Sequence, residues 1–185
     1  MRIISGKYGG IKLVPVKSDR TRPTTDKVKE SLFSMTGPYY EGGRFLDLFA
    51  GSGAVGIEAV SRGMTSAVLV DKQFQAIQAI NENVAKIHAK DQFEVIKGNA
   101  DTVLKQLAEA GQKFDMVFLD PPYRKQRIID TIDRLMALDL LNEEAIIICE
   151  TDNQTVLPIS HGSVAAVKQK NYGLTNLTIY RYTEA

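Results

Sequence analysis

Phe45-Leu46-Asp47-Leu48-Phe49-Ala50-Gly51-Ser52-Gly53-Ala54-Val55-Gly56 is the stretch whose reading decides the fold. An apolar run of strand length, a turn built on two glycines and a helix start follow one another within it. Glycine at 51 and 53 lets the backbone turn sharply and approach a ligand without a Cβ in the way. Residues 51–56 also fit G-x-G-x-x-G, the pattern that lays nucleotide-type cofactors on a helix N-terminus. Alone, that pattern leaves nicotinamide, flavin and S-adenosylmethionine open. Asp47 helps to choose. A carboxylate four residues before the first glycine is awkward beside a pyrophosphate but suits the amino group and sulfonium of S-adenosylmethionine; a plain loop cap is the alternative.

Working outward, strands and helices alternate. Apolar runs at 45–49, 67–70, 93–96, 114–119 and 144–149 read as five strands, separated by helical patterns at 54–61, 74–88, 101–110 and 128–138. Such alternation predicts right-handed crossovers and a parallel sheet covered on both faces. Runs at 163–169 and 174–182, split by Asn171-Tyr172-Gly173, read as a closing antiparallel pair. Before the sheet, Arg2–Ile4 and Ile11–Val14 flank a glycine-rich turn and predict a hairpin. Val28, Ser31, Leu32 and Met35 then give one helical stripe, with Thr24 and Thr25 placed to cap it. The expected organisation is an N-terminal hairpin and helix over 1–43, not an independent unit, and a catalytic α/β domain over 44–185.

The second strand ends in Asp71, where carboxylates of such folds accept ribose hydroxyls. Gly98-Asn99-Ala100-Asp101 after the third strand is placed for an adenine edge, and a helix cap reads Asn99 or Asp101 equally well. The expected cofactor set is Asp47, Phe49, Ala50, Gly51, Ser52, Gly53, Asp71, Lys72, Asn99 and Ala100.

Asp120-Pro121-Pro122-Tyr123 follows the fourth strand, at the carboxyl edge where open α/β sheets place ligands. Two prolines stiffen the turn and remove two donors, leaving carbonyls free. An exocyclic base amine is a poor nucleophile because its lone pair is delocalised into the ring. Asp120 and the Pro121 carbonyl, accepting its two N–H bonds, would release that lone pair. Tyr123 would stack on a base swung out of its helix or loop. A rigid turn is the plainer reading of these four residues taken alone. Their place on the same rim as the glycine loop favours the chemical one.

Charge is unevenly spread. Residues 1–44 hold nine Lys and Arg against four acids, a surplus of +5 in a chain of net charge +1. A basic arm on a near-neutral body suits a polyanion, and a solvated basic face accounts for it equally well. Arg22, Thr24, Thr25 and Lys27 in the arm, with Arg124, Lys125 and Arg127 after Tyr123, are the expected contacts of such a polyanion, which the resemblance given below makes RNA. The latter three oppose a helix macrodipole, a conflict that phosphates would relieve. A hydrophobic content of 44% is that of an ordinary globular chain. No apolar run reaches membrane-spanning length, and Met1–Gly10 lacks the pattern of a secretory signal. The single cysteine, Cys149, excludes an internal disulfide; a cytoplasmic setting is expected. His88 and His161 are the only histidines and no ligand-like cluster appears, so no metal is expected. Oligomeric state is left open, a monomer being compatible.

The pairing of Asp47–Gly53 with Asp120–Tyr123 resembles class I amino-methyltransferases. Arg2-Ile3-Ile4-Ser5-Gly6 and Arg22–Phe33 narrow the resemblance to the RsmD-like family of bacterial small-subunit ribosomal RNA guanine-N2 methyltransferases. The resemblance implies a Rossmann-like, seven-stranded, mostly parallel sheet with an antiparallel last strand. It implies S-adenosyl-L-methionine as cofactor, S-adenosyl-L-homocysteine as product, and small-subunit RNA or the 30S particle as partner. By the same resemblance Asp47–Gly53 and Asp71 hold the cofactor, Asp120–Tyr123 hold the amine, and Arg22, Thr24 and Thr25 flank the entrance. Three rivals remain: an adenine-N6 methyltransferase on DNA or RNA, a nicotinamide oxidoreductase, and a catalytically silent RNA-binding assembly factor.

Overall fold

The structure, a computed structural model, describes residues 1–19, 24–122 and 124–184, with residues 124–126 described by backbone alone. Its centre is one sheet of eight strands in the order β3-β2-β1-β4-β5-β8-β7-β6. These are β1 (Arg44–Asp47), β2 (Ser66–Asp71), β3 (Phe93–Lys97), β4 (Phe114–Leu119), β5 (Leu141–Asp152), β6 (Ser160–His161), β7 (Val164–Tyr172) and β8 (Thr175–Tyr182). Strands β1 to β5 are parallel; β8 lies antiparallel between β5 and β7. The expected architecture is therefore observed, with one strand more than expected. The addition is β6, a two-residue edge strand held by Ala165 and Val164, too short to read from sequence.

Helices α1 (Asp26–Thr36), α2 (Ala54–Ser61), α3 (Phe74–Lys86), α4 (Ala100–Glu109) and α5 (Arg124–Ala137) cover the sheet. Side chains of successive strand residues point to opposite faces, and the burial obeys that period. Phe45, Leu69, Met116 and Phe118 pack with Leu32, Phe33, Ile57 and Ile80 of α1, α2 and α3. Leu46, Val70, Val117 and Leu119 pack with Val103, Leu104, Ile128 and Ile132 of α4 and α5. Strands buried on both faces explain the uninterrupted apolar runs in the sequence.

The hairpin expected at the N-terminus is reduced to one bridge, Arg2 with Lys12, and a few flanking bonds. Side chains capture the amides a longer ladder would need. Glu58 on α2 accepts from the amides of Ile4 at 2.9 Å and Ser5 at 3.1 Å, and Asn83 on α3 accepts from Val14 at 2.8 Å. Glu58 is fully buried and also holds Arg62 at 2.8 Å and Lys29 of α1 at 3.4 Å. Residues 1–16 are thus tied down against α1, α2 and α3.

Candidate active site

Strand register brings four carboxylates to the carboxyl edge of the sheet. Asp47 ends β1 and Asp71 ends β2. Asp120 follows β4, and the pairing of Leu119 with Cys149 sets Glu150 of β5 at the next position along. A cleft of about 780 Å³ opens there. Its walls include Asp47, Phe49, Ala50, Gly51, Ser52, Asp71, Lys72, Asn99 and Ala100 from the expected cofactor set, and Asp120, Pro121 and Pro122 from the expected amine-binding turn. Gly53 is absent from the walls. The two motifs share one crevice.

The glycine turn is shaped by its own hydrogen bonds. The Ala50 amide donates to Val70 O and the Gly53 amide to Ala50 O, both at 2.8 Å. Gly53 itself takes φ 81° as the residue before α2, where a side chain would be strained. At Gly56 an added Cβ would lie 2.2 Å from Leu69 Cδ2, so the third glycine of the pattern lets α2 sit close on β2. Asp71 accepts from the Gly51 amide and the Gln73 amide, each at 2.9 Å, and so braces the turn. Each oxygen keeps lone-pair capacity for a ligand hydroxyl.

Asp47 is 1% exposed. Among the described residues its carboxylate accepts one bond, from the Phe49 amide at 3.2 Å. Burial pushes its pKa well above the ordinary carboxylate value; Asp120, Asp71 and Glu150 push in the same direction against that single amide. A cationic group in the cleft would relieve this repulsion, and a pyrophosphate would worsen it. The added Cβ that would block a ligand at Gly51 meets nothing within 4 Å, so the cleft reaches the turn's backbone. Acidic residues on neighbouring strand ends of one cleft, with an accessible glycine backbone beside them, fit S-adenosylmethionine and disfavour a dinucleotide. Among the described residues no group of three or more His, Cys, Asp or Glu is arranged to hold a metal ion.

Other expected residues are placed as follows. Asn99 lines the cleft while its side chain caps α4, accepting from the Asp101 amide at 2.9 Å. Thr24 lines the cleft and donates to Glu150 Oε2 at 3.2 Å; Thr25 caps α1, accepting from Val28 at 3.2 Å. Lys27 is exposed on the outer face of α1. Arg127 lines the cleft with its guanidinium on Asp101 at 3.0 Å and over the Phe49 ring at 5.8 Å. Arg22 and Tyr123, and the side chains of Arg124 and Lys125, lie outside the described residues. Sequence reasoning did not single out Asp130, Val16 and Met1, which line the same cleft, nor Glu150, nor Asn83 behind the glycine turn.

Comparison with known proteins accords with this geometry. Residues 1–181 match the family described as Conserved hypothetical protein 95. The chain is 41% identical over 181 residues to a Bacillus subtilis protein named "Putative rRNA methyltransferase YlbH", covering 98% of each. It is 34% identical to "Ribosomal RNA small subunit methyltransferase D" of Escherichia coli, covering 98% of this chain and 89% of that one. A solved Escherichia coli structure, "Putative methyltransferase yhhF", superposes with a TM-score of 0.85 at 32% identity, covering 99% and 98% of the two chains.

Proposed function

The chain belongs to the Conserved hypothetical protein 95 family, and on that premise we propose that it methylates the exocyclic N2 amine of a guanine in small-subunit ribosomal RNA, using S-adenosylmethionine. The observation that carries the proposal is the shared cleft, lined both by the glycine turn with Asp47 and Asp71 and by Asp120-Pro121-Pro122. The relatives' names supply the class of RNA.

S-adenosylmethionine, when bound, supplies an electrophilic methyl carbon, and its sulfur keeps the electron pair as the new nitrogen–carbon bond forms. Asp47 meets the cationic amino-acid end of that cofactor, and Asp71 accepts its ribose hydroxyls. Asp120 and the Pro121 carbonyl accept the two N–H bonds of the target amine, which localises the nitrogen lone pair and aims it. Asp120 then takes the proton the nitrogen sheds, or passes it to water. Rate comes mainly from holding nitrogen, methyl and sulfur in line. Tyr123 stacks on the extruded base, with Thr24 at the entrance. Arg22, Thr25, Lys27, Arg124, Lys125 and Arg127 serve the flanking RNA, and the chain works in the cytoplasm, where that RNA is assembled.

Radiolabelled methyl transfer to purified 30S subunits, naked small-subunit RNA and duplex DNA tests the proposal. Label in guanine N2 of the RNA is expected. Label confined to adenine N6 would give the reaction to the rival amine, and tight NADH binding without S-adenosylhomocysteine binding would remove the methyltransferase reading.

A further inference from the structure

The N-terminal segment reaches the cofactor end of the cleft, and one buried side chain behind the wall holds it there. Met1 and Val16 line the cleft beside Gly51 and Ser52, and Ser52 Oγ donates to the Met1 sulfur at 3.6 Å. Behind them stands Asn83 of α3, fully buried. Its Nδ2 donates to Ser52 O and to Val14 O, both at 2.9 Å, while its Oδ1 accepts from the Val14 amide at 2.8 Å. A carboxamide offers two donors and two acceptor lone pairs, and three of the four are used on two segments far apart in sequence. Asn83 is not among the cleft-lining residues. It acts only through Ser52 and Val14.

We infer that Asn83 is a positioning residue for the cofactor, clamping residues 14–16 and Met1 against the glycine turn so that the N-terminal segment forms one wall of the cofactor pocket. The inference rests on the methyltransferase reading. It gives the N-terminal extension a second task besides meeting RNA. Replacing Asn83 by Leu keeps the branched shape and heavy-atom count, with somewhat more bulk, and strands one amide and two carbonyls in a buried place, each of which must then find another partner by moving. The distance between the turn and Val16 is what relaxes. Asp120-Pro121-Pro122 takes no part in these hydrogen bonds.

Calorimetry with S-adenosylhomocysteine and steady-state kinetics on full-length N83L and V16A test the inference. V16A trims the wall itself and leaves every hydrogen bond in place, so it decides the matter if N83L does not fold. The dissociation constant is expected to rise about tenfold in N83L, equivalent to roughly 1.4 kcal/mol, and about threefold in V16A. The KM for S-adenosylmethionine should rise in step, with kcat at saturating cofactor and RNA held within about twofold. A fall in kcat with KM unchanged would show only a loss of folded protein and overturn the positioning role. Unaltered affinity in V16A would overturn the wall. Failure of the wild-type protein to bind S-adenosylhomocysteine is a different result, and strikes the methyltransferase reading itself.

Discussion

Among the described residues two carboxylates are buried, and their surroundings are opposite. Glu58 accepts from two backbone amides and faces both Lys29 and Arg62. Asp47, as deeply buried, accepts from one amide and looks toward three other carboxylates. Around Glu58 the buried negative charge is met inside the fold by two cations, and desolvation is what lowers the Lys29 pKa against the pull of Glu58. Among the described residues, the charges acting on Asp47 are three carboxylates, which a cationic ligand would offset. Burial alone therefore does not separate a structural acid from a binding one; the inventory of partners does.

The largest way to break this comparison is E58A. It leaves two buried cations without their anion and should cost about 3–5 kcal/mol of stability in urea denaturation. A loss below about 1 kcal/mol would mean that the network holds nothing together. Next comes D47N, which should weaken S-adenosylhomocysteine binding by about 2 kcal/mol in calorimetry, the scale of a hydrogen bond to a charged group. The free protein should be no less stable for it, since the substitution removes a repelled charge. A clear drop in its melting temperature would put Asp47 in the same class as Glu58.

The pH dependence sharpens the contrast further. Because the folded pKa of Asp47 is raised, the folded state holds that proton more tightly than the unfolded chain. Its contribution to stability is full below the ordinary value of 3.8 and is lost as pH rises from there through the raised value. Across that window the affinity for a cationic ligand moves the other way, rising with pH by up to about 1.4 kcal/mol per unit. Melting curves and calorimetry between pH 4 and neutrality should show the two trends, and D47N should flatten both. The smallest expected effect is T25A. It removes the cap of α1, the helix that carries Lys29 to Glu58, and should cost about 1 kcal/mol in the same denaturation with cofactor affinity unchanged.

What could be read from the sequence was whatever has a period or a fixed spacing. The five central strands are buried on both faces, so their apolar runs stand out against the helices. The glycine turn and Asp120-Pro121-Pro122 carry their geometry in their own residue types. Thr25 announced its cap, and Asn99 offered two readings of which the cap is what its side chain does. The N-terminal hairpin misled because its amides are taken by Glu58 and Asn83, acceptors more than fifty residues away. Glu58 did leave a trace: it is the lone charge in an otherwise apolar helix, Ala54–Ser61, and such a charge needs an internal partner. Asn83 left none, sitting between exposed Glu82 and buried Val84 in an ordinary helical segment. Asp130 and Glu150 are carboxylates among many, and only helix rotation brings Asp130 to the cleft and only strand register brings Glu150 near Asp47.

Strand β8 follows β7 in sequence yet sits inside the sheet, with β5 on one side and β7 on the other. A growing polypeptide therefore cannot close its sheet until residues 175–182 have left the ribosome. Until then Ile146 to Asp152 of β5, apolar over its first four residues, presents an open edge. Ribosomes stalled before Thr175 would release chains whose central strands are formed and whose edge is sticky. Truncation before Thr175 is therefore expected to favour association through that edge.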